Sequence, residues 1–309
     1  MIGVIGQGFV GTALTKGYTS FGVENIKTYD INGTGNCKTL EELVNQVKYI
    51  FICVPTPMIN EKPDFSIVNN VCTDIDNIRN DSIIIIKSTV LPRLLTKLQK
   101  SLNSTLIMNP EWLTQRTANS DFIKPTRMVW GCDNSVILKE AIEELSLNYF
   151  DCPHYNMTLI GAAKAKYAIN NFGSFKITYF NLLKEWCGDD FKQVRDTMLT
   201  SSWVNEQHTK VPGPDGKFGF GGACFPKDLN AMMLDFEDNN IEGHEILRKV
   251  FESNKVFRQK NIKSITDIAK DILFKIDISE AALGEGNNPK ESIVNTEDLR
   301  KLVKYVLNK

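Results

Sequence analysis

The residues best suited to chemistry lie in one stretch, Gly219-Phe220-Gly221-Gly222-Ala223-Cys224-Phe225-Pro226-Lys227-Asp228. A cysteine sits in a glycine-rich loop, with a lysine three and a carboxylate four residues further on. Glycines without Cβ let a substrate approach the backbone, and Pro226 suits the first turn of a helix. Cys224 would then sit ahead of a helix N-terminus, where partial positive charge and Lys227 favour the thiolate that attacks carbonyls. The alternative is an inert cysteine beside a glycine turn. Two further groups belong to the same chemistry. Lys166 and Asn170 are four apart on an expected helix and so share one face, an ammonium and an amide able to hold a developing oxyanion or simply a solvated pair. Glu111, at an expected strand end, is a candidate acid or base, or else an ordinary helix-start carboxylate.

Around these residues the chain alternates short apolar runs with amphipathic segments. Ile2–Ile5 reads as a strand, followed by Gly6-Gln7-Gly8-Phe9-Val10-Gly11 and a helix to about Phe21. In that context Gly6 turns the chain, Gly8 admits a pyrophosphate and Gly11 lets helix and strand pack closely. A second strand, Ile26–Tyr29, ends in Asp30, about 20 residues downstream, where a carboxylate would bind both ribose hydroxyls and repel a 2′-phosphate. NAD is therefore the expected cofactor. Further helices are expected at Leu40–Val47, Ser66–Arg79 and Arg93–Leu102, and strands at Tyr49–Val54, Ser82–Ile86 and Thr105–Met108. Apolar strands separated by amphipathic helices predict a parallel, doubly wound sheet whose ligands lie beyond the strands' carboxyl ends. Pro55-Thr56-Pro57, Lys87-Ser88-Thr89 and Asn109-Pro110-Glu111 fall at successive ends and read as one cleft wall.

After Asp151-Cys152-Pro153-His154 the pattern changes to long helices: Ile160 to about Trp186, Phe191–Thr200, Lys227–Phe236 and Gly243–Lys260. The first of these is apolar on most sides, which suits a domain or dimer core. Helices are also expected at Ile262–Ile276 and Thr296–Leu307, flanking a linker at Gly284–Pro289. The domain reading is 1–155 for dinucleotide binding, 156–260 for a helical part carrying the cysteine loop, and 261–309 for a short helical tail.

Composition narrows the class. With 309 residues, 42% hydrophobic, and a formal net charge of -1, the chain has a sizeable core and no broad basic footprint for nucleic acid or an acidic membrane. Seven cysteines without a C-x-x-C pair and three separated histidines predict reduced thiols and no metal site. A first strand starting at Ile2 leaves no room for a leader, and the apolar runs are too short to span a bilayer, so a cytoplasmic protein is expected.

Taken together, these residues resemble the UDP-glucose 6-dehydrogenase family. The resemblance runs through the glycine turn and Asp30, Val54-Pro55-Thr56-Pro57, Ser88-Thr89-Val90 and Asn109-Pro110-Glu111-Trp112-Leu113. It continues through Asp121-Phe122 with Arg127, Lys166-Tyr167 with Asn170, Val211-Pro212-Gly213-Pro214-Asp215-Gly216, and Gly219 to Asp228. It implies a Rossmann domain followed by an all-α domain of the 6-phosphogluconate-dehydrogenase type with a long central helix, assembled as a homodimer. It implies oxidation of a nucleotide-sugar, UDP-glucose first, from alcohol to carboxylate with two NAD. Cys224 would attack the aldehyde and pass through thiohemiacetal and thioester. Lys166 and Asn170 would hold the oxyanions, Asp228 and Glu111 would manage protons and water, and Thr89 would position water. NAD would lie on Gly6, Gly8, Phe9, Val10, Gly11, Asp30, Pro55, Thr56, Thr89 and Lys227. The sugar would meet Glu111, Trp112, Leu113, Lys166, Asn170, Phe218, Gly219 and Gly221.

The chain also departs from that pattern. Trp203-Val204-Asn205 replaces the family's Arg-Ile-Gly, Gln115 replaces a second glutamate, and Ala163 replaces an acid often found ahead of the lysine. About fifty residues after 260 are too few for the third domain usual in the family. Two other readings stand beside this one. A two-domain β-hydroxyacid dehydrogenase also uses a helical Lys and Asn and would release one NADH. A non-catalytic NAD-binding protein would leave Cys224 unused.

Overall fold

The computed structural model describes residues 1–260, so the expected helices and linker beyond them lie outside the described residues. In chain order the elements are β1 (Ile2–Ile5), α1 (Phe9–Ser20), β2 (Lys27–Tyr29), α2 (Leu40–Val44) and β3 (Tyr49–Ile52). Next come a small hairpin of β4 (Met58–Ile59) and β5 (Lys62–Pro63), then α3 (Ser66–Ile78), β6 (Ile83–Ile86), α4 (Pro92–Ser101) and β7 (Thr105–Met108). The remainder is α5 (Ala118–Ile123), β8 (Met128–Gly131), α6 (Ser135–Ile142), β9 (His154–Met157), α7 (Leu159–Cys187), α8 (Phe191–Met198), α9 (Phe225–Asp238) and α10 (Glu245–Lys260).

Seven strands form one sheet in the order β2-β1-β3-β6-β7-β8-β9. The first five are parallel, in the α/β alternation expected. The sheet then reverses. β8 meets β7 antiparallel through Met108 and Gly131, and β9 pairs parallel with β8. The sheet therefore carries two strands, Met128–Gly131 and His154–Met157, beyond the five that the sequence pattern announces.

Alternation within the strands divides the core in two. Ile5, Ile50, Ile52, Ile84, Ile86, Leu106 and Met108 pack on one face with residues of α2, α3 and α4. Val4, Tyr49, Phe51, Ile85, Ile107 and Trp130 pack on the other with α1, α5 and α6. Both faces are covered, which is why the inner strands β1, β3 and β6 are apolar along their whole length. On the second face Gly17 of α1 faces Phe122 of α5 so closely that a Cβ there would lie 2.1 Å from the ring. Phe122 also stands edge-on to Tyr18, with centroids 5.6 Å apart. The spacing of α1 and α5 is thus set by the absence of one carbon.

The described residues fall into two compact units. The first comprises Met1–Lys176 and Gly221–Phe251 and contains the whole sheet. The second comprises Ile177–Phe220 and the residues from Glu252. Its core holds Phe180, Leu183 and Phe191, with Val194, Met198, Val204 and Val211 against them. Within it, Phe220 exchanges two hydrogen bonds with Asn254, its N–H donating to Oδ1 at 2.7 Å and its carbonyl accepting from Nδ2 at 2.9 Å. Gly219 has φ +68°, and a Cβ there would lie 2.4 Å from Asn254 Oδ1. Among the described residues no helix is long and apolar enough to cross a membrane.

Gly17→Ala is expected to destabilise by about 1–3 kcal/mol, because Phe122 must move. Thermal unfolding checks this, and the double variant Gly17→Ala/Phe122→Leu should cost less than the sum of its single changes.

Candidate active site

β1 ends at a glycine turn whose shape is dictated by contact. Gly6 has φ +91°, and a Cβ there would lie 2.7 Å from the Cys53 carbonyl oxygen. At Gly11 a Cβ would meet the Gly6 carbonyl oxygen at 1.8 Å, so the first turn of α1 rests directly on the strand end. Gly8 has nothing within 4 Å of that position and opens onto space. It caps α1 without a side chain, and no acid lies in the first helical turn, so the free N–H groups and their positive end are unopposed. Phe9 is exposed and Val10 half-buried beside them.

Asp30, just beyond β2, accepts hydrogen bonds from the Gln7 N–H at 2.7 Å and the Asn32 N–H at 2.8 Å. Those two backbone donors hold its carboxyl below the usual carboxylate range, so it is ionised and fixed in direction. The cradle fits a dinucleotide: a bare helix terminus for phosphates, and a fixed carboxylate at the next strand for ribose hydroxyls.

Beyond β3 and β6 the chain supplies Pro55, the buried Thr56 and the half-buried Thr89. The Ser88 hydroxyl donates to the Val54 carbonyl at 2.6 Å and holds these two strand ends together. Lys87, buried beside them, donates to Asn109 Oδ1 at 2.8 Å, and Asn109 Nδ2 donates to the Val129 carbonyl at 2.7 Å. Burial pulls the Lys87 ammonium down to about 8 and pushes the nearby Cys53 thiol up to about 12. The sequence shows Lys87 only as one member of a polar strand end; its burial depends on neighbours far along the chain.

Five of the residues singled out from the sequence as chemical come together in the first unit. The Lys166 ammonium on α7 donates to the Glu111 main-chain carbonyl and to Oε1 of the same residue at 3.1 Å. Glu111 Oε2 accepts from the Leu113 N–H at 2.6 Å. Trp112 lies between two cations, with its ring centroid 5.0 Å from Lys166 and 5.1 Å from Arg127. One turn along α7, Asn170 Nδ2 donates to Asp228 Oδ2 at 2.6 Å. Asp228 Oδ1 accepts from Lys227 at 2.6 Å.

Cys224 is the N-cap residue of α9, half-buried, and feels the charges of Glu111, Lys166, Asp228 and Lys227. Gly221 lies in the same unit, whereas Phe218 and Gly219 belong to the second. At its other end α9 is anchored by Arg93 of α4, 3.0 Å from Asp235 and 2.5 Å from Asp238.

One expectation is overturned. The thiolate was to be favoured by the helix terminus and Lys227, yet the Cys224 thiol is pushed up from its ordinary value. Burial is the main cause and Glu111 adds to it, outweighing Lys166, while Lys227 is occupied by Asp228. The surroundings thus favour the thiol over the thiolate.

A further feature was not singled out from the sequence. A cleft of about 660 Å³ runs from Gln7, Gly8, Phe9 and Thr12 to the segment 115–120.

The sequence matches two family models. They are the NAD-binding domain of the UDP-glucose/GDP-mannose dehydrogenase family, over residues 32–148, and the central domain of that family, over 161–256. The chain belongs to this family. A UDP-glucose 6-dehydrogenase of Rickettsia bellii is 32% identical over 70% of this chain and 50% of its own length. The chain spans about half the length of several curated relatives that it matches. A UDP-glucose dehydrogenase structure from Pyrobaculum islandicum has the same fold, with TM-score 0.72 and 22% identity over 92% of this chain and 71% of that one. So has a 3-hydroxyisobutyrate dehydrogenase of Mycobacterium tuberculosis, with TM-score 0.65 and 17% identity over 81% of this chain and 91% of that one. Residues 32–148 are thus an NAD-binding domain, and the glycine turn and Asp30 stand just ahead of that span, in the same compact unit.

Because its pKa is raised, Cys224 should alkylate with iodoacetamide more slowly at pH 7 than a free cysteine, its rate still climbing above pH 9. Mass spectrometry of the Cys224 peptide across pH reads this; a rate that levels off below pH 8 would contradict it.

Proposed function

We propose that the protein is an NAD-dependent nucleotide-sugar dehydrogenase that carries a primary alcohol through the aldehyde to the carboxylate, with Cys224 as the covalent nucleophile. The observation that carries this reading is a half-buried cysteine at a helix N-cap, within the field of two paired, buried carboxylates. UDP-glucose is the preferred substrate, because Cys224-Phe225-Pro226-Lys227-Asp228 resembles that branch of the family.

NAD, when bound, supplies the hydride acceptor for each of the two oxidations. Gly6, Gly8, Phe9, Val10 and Gly11 would receive its phosphates and Asp30 a ribose. Pro55, Thr56, Thr89 and Lys227 would line its path. The protein's own steps begin with the Cys224 proton, which passes to a neighbouring carboxylate, Glu111 or Asp228. The sulfur then adds to the aldehyde carbon to form a thiohemiacetal, and oxidation of that adduct leaves a thioester. Lys166 and Asn170, turned from their present carboxylate partners, donate hydrogen bonds to the oxyanion. Water held by Thr89 and deprotonated by a carboxylate cleaves the thioester, releasing the acid and restoring the thiol. Trp112, Leu113 and Gly221 complete the sugar side.

A one-step β-hydroxyacid dehydrogenase is the second reading. It is favoured by the helical Lys166 and Asn170 and by the fold shared with a hydroxyisobutyrate enzyme. Product stoichiometry separates the two. UDP-glucose should yield two NADH per sugar, and Cys224→Ala should lower acid formation on the order of 10³-fold or more. One NADH per sugar, or normal acid production by that variant, would exclude the thioester route.

The assembly we propose is a homodimer through α7, whose Ile169, Phe172, Tyr179, Leu182 and Trp186 are exposed at spacings of three, four and seven residues. Light scattering should give twice the chain mass, and Phe172→Asp/Trp186→Asp should give the monomer.

A further inference from the structure

The cleft between the glycine turn and the segment 115–120 has an uneven charge. Its lining consists of Gln7, Gly8, Phe9 and Thr12 on one wall and Gln115, Arg116, Thr117, Ala118, Asn119 and Ser120 on the other. None of these carries a carboxylate, and Arg116 is the one cation among them. Arg116 is exposed, and among the described residues it has neither an ion pair nor a hydrogen bond.

Its backbone, by contrast, is fixed. Asp121 Oδ2 accepts from the Thr114 N–H and the Thr117 hydroxyl, both at 2.8 Å, which pins the turn on either side of Arg116. The turn leads directly into α5, and α5 is held against α1 by the close approach of Phe122 to Gly17. The unopposed N-terminus of α1 and the guanidinium therefore stand on two elements of set spacing, facing one cleft.

We infer that Arg116 closes the dinucleotide cleft as a phosphate clamp, pairing with the pyrophosphate oxygens from the side opposite the α1 N-terminus. Backbone N–H groups orient the phosphates but carry only partial charge. A guanidinium adds a full positive charge and two parallel donors matched to phosphate oxygens. The rest of that wall (Gln115, Asn119, Ser120) is uncharged and holds no carboxylate to compete for it. The inference rests on the dinucleotide reading of the cleft and is independent of the chemistry at Cys224.

The test is binding without sugar. NADH affinity is followed by fluorescence, and ADP-ribose and adenosine by competition, on the wild type, Arg116→Gln, Arg116→Lys and Arg116→Glu. Arg116→Gln should weaken NADH and ADP-ribose roughly tenfold, the size of one charge-assisted contact. Adenosine, which has no phosphate, should be unchanged. Lysine should restore part of the loss, and glutamate should deepen it at low salt, with the difference shrinking at high salt. Equal ADP-ribose affinity in the wild type and Arg116→Gln would overturn the inference. So would a parallel loss for adenosine, which would mark a general change in the cleft. A wild type that binds no NADH would instead remove the dinucleotide reading itself.

Discussion

The buried ion pair of Lys166 and Glu111 is the constraint around which the site is arranged. Neither charge tolerates burial alone, and removing one partner of such a pair typically costs about 3–5 kcal/mol. Lys166 also donates to the Glu111 main chain, and Glu111 receives the Leu113 N–H. One ammonium thus fixes the strand end, the turn after it and the start of α7 together. Trp112, drawn between Lys166 and Arg127, covers the pair. The second couple, Asn170 and Lys227 on Asp228, repeats the arrangement one helical turn away. Cys224 lies in the field of both. Its surroundings therefore disfavour a bare negative charge on the sulfur.

Much of this could be read in the chain before any coordinates. The glycine turn was legible because its requirements are local: Gly6 needs a positive φ, and Gly11 must lack a side chain where it touches the strand end. Strands β1, β3, β6 and β7 were legible because isoleucine-containing runs covered on both faces stay largely apolar. The reversal at β8 was not, since Met128–Gly131 is a short apolar run that carries no direction. β9 was also missed: His154–Met157 is a polar, partly exposed strand without the apolar signal of the others. The spacing of Lys166 and Asn170 placed them on one face, but periodicity does not say which carboxylates they meet. Glu111 is 55 residues from Lys166, and Asp228 is 58 from Asn170.

The thiol shows the same limit most clearly. Local chemistry, a helix terminus and a neighbouring lysine, argued for an ionised sulfur. Tertiary packing decided otherwise, because desolvation acts through residues distant in the chain and because Lys227 is satisfied by the carboxylate beside it. Lys87 illustrates the converse case: a cation buried against an amide, Asn109, with its charge weakened by the same loss of water. Buried polar groups at three successive strand ends make this a wall with few free rotations.

The anchoring of α9 has a mechanical corollary. Fourteen residues of helix span about 21 Å, with the sulfur at one tip and the Arg93 clasp on Asp235 and Asp238 at the other. Over that length a rotation of about 3° about the clasp would carry the sulfur about 1 Å. The placement of the Cys224 sulfur is thus tied to the far end of its helix, where Arg93 holds Asp235 and Asp238.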